Sequence, residues 1–98
     1  MNRNYTFYYY SNGKPQYIGE YRRNKPVGKG EFRYQNGEIL QGVFNSVGEG
    51  KGVFTFDDGA YWRGNFYAWT LNGTGTYYNE DGYCLGQKSY ELNKPIWK

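Results

Sequence analysis

Two acidic pairs, Asp57-Asp58 and Glu80-Asp81, are the nearest approach in this sequence to a general acid and base. Such work needs carboxylates whose environments drive their pKa values apart. Here each pair runs straight into a glycine, a setting where Asp serves the backbone of a turn. Gly48-Glu49-Gly50-Lys51-Gly52 has glycines enough for a phosphate loop but lacks the Gly-Lys-Ser/Thr ending and a following helix. The chain has no His, which excludes a Ser-His-Asp triad, a Cys-His dyad and any His-ligated metal. Its one cysteine, Cys84, cannot form an intrachain disulfide and reads as a small apolar filler. No catalytic residue, metal or cofactor is expected. The protein reads as a non-enzyme.

One polar group remains. Arg22, Arg23, Lys25, Lys29 and Arg33 lie within a dozen residues, and all the excess positive charge falls in residues 1–49, with seven bases against four acids. The net charge is only +3, below what a dedicated nucleic-acid binder carries. No apolar run approaches the ~18–20 residues of a spanning helix. The start lacks the apolar stretch of an export signal, so a reducing, cytoplasmic setting is expected.

The elements that position these groups come from a repeat. Gly19, Gly42, Gly64 and Gly86 are 23, 22 and 22 residues apart. Gly28-Lys29-Gly30, Gly50-Lys51-Gly52 and Gly73-Thr74-Gly75 form a second series, and Asn12-Gly13, Asn36-Gly37, Asp58-Gly59 and Asp81-Gly82 a third. Between them aromatics alternate with polar residues, as in Phe32 and Tyr34 or Phe54 and Phe56. Alternation predicts strands. Asn-Gly and Asp-Gly predict two-residue type I′ hairpin turns, joining 30–35 to 38–44 and 52–57 to 60–66. Asn24-Lys25-Pro26-Val27 is expected to be a loop at the opposite end. The fold class is all-β: a single-layer antiparallel meander of about eight short strands, curled into an elongated half-pipe, with helix expected nowhere but the tail.

These residues resemble the MORN repeat family (membrane occupation and recognition nexus), whose pattern is approximately Tyr-x-Gly-x-aromatic, a loop, Gly-x-Gly-x-aromatic-x-aromatic, then Asp/Asn-Gly. The resemblance divides a single domain, 1–98, into a partial repeat at 6–13, repeats at 17–37, 40–59 and 62–82, and a degenerate repeat with a capping tail at 83–98. Leu40 and Trp62 stand where the family has Tyr, and Asn79 replaces an aromatic. The family implies binding to proteins or to acidic phospholipids.

Alternation sends Tyr8, Tyr10, Tyr17, Tyr21, Tyr34, Trp62 and Tyr77 to one face, with Phe32, Leu40, Phe44, Phe54, Phe56 and Phe66. Gly19, Gly30, Gly42, Gly52, Gly64 and Gly75 share that face. Glycine weakens a strand, so these glycines are expected to make room for rings lying over the backbone. Part of the ring face is expected to remain an open groove, since one sheet has no second layer to cover it. The groove is assigned to Tyr8, Tyr10, Tyr17, Tyr21, Tyr34, Trp62 and Tyr77, and its expected occupant is a protein segment, a second copy of the chain included. The alternative is acidic phospholipid held by the Arg22–Arg33 cluster. Nucleic acid is not an expected partner. Trp69 and Leu71 are read as loop residues.

Overall fold

The computed structural model describes residues 4–8, 16–23, 25–91 and 94–95, with side chains for 16–23 and 25–91. Within these residues the chain is entirely β. Nine strands follow one another in a single antiparallel sheet in chain order. They are β1 (Asn4–Tyr8), β2 (Gln16–Arg22), β3 (Lys25–Arg33), β4 (Ile39–Phe44), β5 (Gly50–Thr55), β6 (Tyr61–Tyr67), β7 (Thr70–Tyr78), β8 (Cys84–Glu91) and β9 (Lys94–Pro95). The sheet is open, and the molecule measures 41 × 23 × 23 Å.

Register explains the glycine series. Gly19 faces Gly30, Gly30 faces Gly42, Gly42 faces Gly52 and Gly52 faces Gly64, so a column of bare backbone crosses five strands. Rings fill the space above it. A Cβ at Gly30 would lie 2.3 Å from the Tyr17 hydroxyl, one at Gly42 2.9 Å from Phe44 Cζ, and one at Gly75 2.5 Å from Trp62 Cε2. The sheet must also curl, because rings two strands apart meet: Phe44 and Phe66 have centroids 5.8 Å apart, nearly perpendicular. Tyr17, Phe32, Leu40, Phe44, Phe54, Trp62, Phe66, Leu71 and Tyr90 form the buried core. A sheet with one layer of strands thus makes its second layer from its own side chains.

The turns differ from expectation. Tyr34 N–H donates to the Glu38 carbonyl and Gly37 N–H to the Tyr34 carbonyl, which defines a three-residue loop. Only the third residue, Gly37, takes positive φ (97°), so this is a type I turn closed by a glycine bulge. The same pairs of bonds recur at 45–49, 56–60 and 79–83. A type I′ turn needs positive φ at Asn36 or Asp58 too, and neither has it. Two-residue turns occur elsewhere: Tyr67 pairs with Thr70 around Ala68 and Trp69, at φ 52° and 58°. Likewise Arg22 pairs with Lys25, and Lys25, Pro26 and Val27 belong to β3, not to a loop.

One further expectation is corrected. Leu71 lies in β7 and is 1% exposed, and Trp69 folds back over the ring face to Phe32, 6.4 Å between centroids. Gly86 does not continue the glycine column. The column ends at Gly64, where the register with β7 shifts between Arg63 and Asn65; on β7, Gly75 faces Lys88 and Tyr77 faces Gly86. Asn79, out of place as an aromatic, is a turn residue whose Oδ1 accepts the N–H groups of Asp81 and Tyr83.

Candidate binding surfaces

The ring face is buried at its centre and half-buried at its margins, at Tyr34, Phe56 and Tyr77 on one side and Trp69 on the other. Tyr17 is 1% exposed and Trp62 0%, which removes both from any surface a partner could touch. Their polar atoms are also committed: the Tyr17 hydroxyl donates to the Glu20 carbonyl, and Trp62 Nε1 to the Lys88 carbonyl at 2.8 Å. Curling, which brings strands two apart into contact, is what buries them. Tyr8 and Tyr10 lie outside the residues whose side chains are described. Tyr21 is half-buried at the end of β2.

Tyr34, Phe56 and Tyr77 are half-buried and packed against the core from its edge. They form a continuous row: Tyr34 lies 6.1 Å from Phe54, Phe54 5.1 Å from Phe56 and Phe56 6.0 Å from Tyr77. Lys88 Nζ sits 4.1 Å from the Tyr77 ring centroid, within cation–π range. Burial lowers the Lys88 pKa, with Asp58 opposing it. Burial and then Glu38 raise that of Tyr34. Burial and then Tyr77 push Tyr90 up to about 12. The turns beside this row carry Glu38, Asp57, Asp58, Glu80 and Asp81. Asp58 Oδ1 accepts the Ala60 N–H at 2.9 Å, so that carboxylate serves its turn.

The basic residues divide into two groups. Arg22, Arg23 and Lys25 gather with Val27 and Ser46 around a hollow of about 510 Å³ at the β2–β3 turn. Lys29 stands midway along β3, and Arg33 lies at its far end, roughly 25 Å from Lys25 at about 3.3 Å per residue. Arg33 Nε is bonded to Glu31 there. A strand, unlike a loop, separates residues that are close in sequence. The free Cys84 is exposed, contrary to its reading as a filler. Among the described residues no three His, Cys, Asp or Glu side chains are grouped to hold a metal.

The hairpin unit, with its ring-covered glycines and its glycine-closed turn, is matched by a family model. Residues 17–39 and 42–61 match MORN repeats. Such repeats are protein- and membrane-binding modules, and the matched spans contain Tyr17, Tyr21, Tyr34 and all five basic residues. A comparison with the curated proteins gives no match. Beyond the matched spans the same local geometry recurs: Gly75 lies under Trp62, and residues 79–83 repeat the hydrogen bonds of residues 34–38 and 56–60.

Proposed function

We propose that this MORN sheet is a non-enzymatic binding module that grips a protein segment along the row Tyr34, Phe56 and Tyr77. The observation that carries the reading is the contrast in burial between this row and the closed centre. Half-buried tyrosines offer an apolar ring and a wet hydroxyl together, a combination suited to an interface. The reading is tested by capturing a partner on the wild-type chain, identifying it, and remeasuring affinity with Tyr34→Ala and Tyr77→Ala. A loss of about tenfold or more, with the fold retained, is expected for an anchor residue. Unchanged affinity in both variants would refute it. Light scattering distinguishes a second copy from a different protein as that partner.

A second reading rests on Arg22, Arg23 and Lys25, beside which the 45–49 turn presents Val47 at 51% exposure. Bases next to an exposed apolar tip suit acidic phospholipid, at about 1 kcal/mol per base near an anionic surface. Co-sedimentation with phosphatidylserine vesicles at low salt tests it. Binding that survives Arg22→Glu with Arg23→Glu and Lys25→Glu would discard it.

A further inference from the structure

The side of the sheet opposite the rings has a recess of its own. Where the glycine column crosses the strands, a trough of about 640 Å³ opens on the outer face and meets a second, of about 480 Å³, at Gly52 and Val53. Its two walls are rows of outer-face residues that flank the column. One wall runs through Glu31, Gln41, Val53 and Arg63, and the other through Lys29, Val43, Lys51 and Asn65. Residues on either side of a glycine are two positions apart on one strand, about 7 Å between Cα atoms.

The charge of this trough is net positive, with Lys29, Arg33, Lys51 and Arg63 lining it against Glu31. Glu31 is occupied by Arg33 and by the Gln41 amide at 3.0 Å, and Glu20 accepts the Lys29 backbone N–H at 2.8 Å. Arg63 lies over the Tyr78 ring, 5.9 Å from its centroid. Among the described residues, the ammonium groups of Lys29 and Lys51 have no ion-pair partner. They stand on the same wall with Val43, 58% exposed, between them. Two strand steps set them about 9.6 Å apart.

That spacing selects a conformation. The floor of the trough is backbone already paired in the ladder, so it offers no strand-pairing bonds to an occupant. A polyproline II segment needs none, and its rise of about 3.1 Å per residue brings every third side chain to the same side after about 9.3 Å. We propose that the outer trough binds an acidic polyproline II segment, with carboxylates three residues apart on Lys29 and Lys51 and apolar residues over Val43. A flat bilayer would bridge the walls and leave the floor empty.

The test uses the full chain and a fluorescein-labelled peptide of repeating Glu-Pro-Pro triplets, with a Lys-Pro-Pro peptide as control. Binding at least about tenfold tighter for the acidic peptide, falling with added salt, is expected from charge complementarity. Lys29→Glu with Lys51→Glu should weaken it about tenfold or more. Tyr34→Ala with Tyr77→Ala should leave it intact, which separates this surface from the ring margin. Equal binding of both peptides, or binding unaffected by the lysine reversals, would overturn the proposal. So would loss of phosphatidylserine-vesicle binding on reversal with no affinity for the acidic peptide, which would make this a membrane face.

Discussion

Trp62 Cη2 occupies the space above Gly64 where a side chain would begin: a Cβ there would lie 2.5 Å from it. Gly64 does not have positive φ, so its substitution meets a problem of space alone. Gly64→Ala is expected to cost about 3 kcal/mol by overpacking. Gly73 is the contrast, with φ 84° and nothing within 4 Å of an added Cβ. Gly73→Ala should cost about 1 kcal/mol of backbone strain. Urea midpoints of the two variants check the order.

Asn79 Oδ1 holds two backbone N–H groups of the 79–83 turn, and Asn45 Oδ1 does the same for Val47 and Glu49. Asn79→Ala and Asn45→Ala should each cost about 1–2 kcal/mol, near the net value of two such bonds at a partly solvated site. An aromatic at position 79, restoring the family pattern, should not recover the loss. Equilibrium unfolding of Asn79→Phe beside Asn79→Ala measures this.

Trp69 packs over Phe32 and Gly48, yet its Nε1 is buried without a hydrogen-bond partner among the described residues. An unpaired buried donor costs about 1–3 kcal/mol. Trp69→Phe removes that cost together with some packing and should stay within about 1 kcal/mol of the wild type. Trp69→Ala loses the packing outright and should cost about 2 kcal/mol or more. Comparable large losses in both variants would contradict the unpaired donor.

Tyr90 should make the fold sensitive to alkali. Its folded pKa is raised to about 12 from 10.0, first by burial and then by Tyr77. The unfolded chain therefore releases this proton earlier, and stability is intact below pH 10 and falls as pH rises from about 10 towards 12. Tyr34, raised by burial and Glu38, adds in the same direction. Chemical denaturation across that range should show the decline, and Tyr90→Phe should flatten it.

The sequence displays the face of each residue but not its depth. Period-two alternation assigns Tyr17, Trp62, Tyr34 and Tyr77 to one side equally, and the exposure that separates them arises from curl, a relation between strands. Turn type was legible only in part. Asn-Gly and Asp-Gly signal a reversal, but the same dipeptides serve a two-residue turn and a three-residue turn with a glycine bulge. Ala68-Trp69 makes the tighter turn with no glycine to announce it, which is why Trp69 and Leu71 read as loop. The register shift between Arg63 and Asn65 leaves no trace in glycine spacing, so Gly75 reads as continuing a column that ends at Gly64. The outer trough is invisible in the sequence because its walls come from four strands.

The rings form a closed core with a half-buried margin at Tyr34, Phe56 and Tyr77, and tyrosine nitration of the native chain with peptide-level mass spectrometry tests this arrangement directly. Tyr83, 69% exposed, and Tyr67, 45% exposed, should react fastest. Half-buried Tyr34 and Tyr77 should follow. Tyr17 and Tyr90, 1% and 5% exposed, should stay unmodified until the chain is unfolded in urea. Nitration of Tyr17 in the native protein at the rate of Tyr83 would contradict the account.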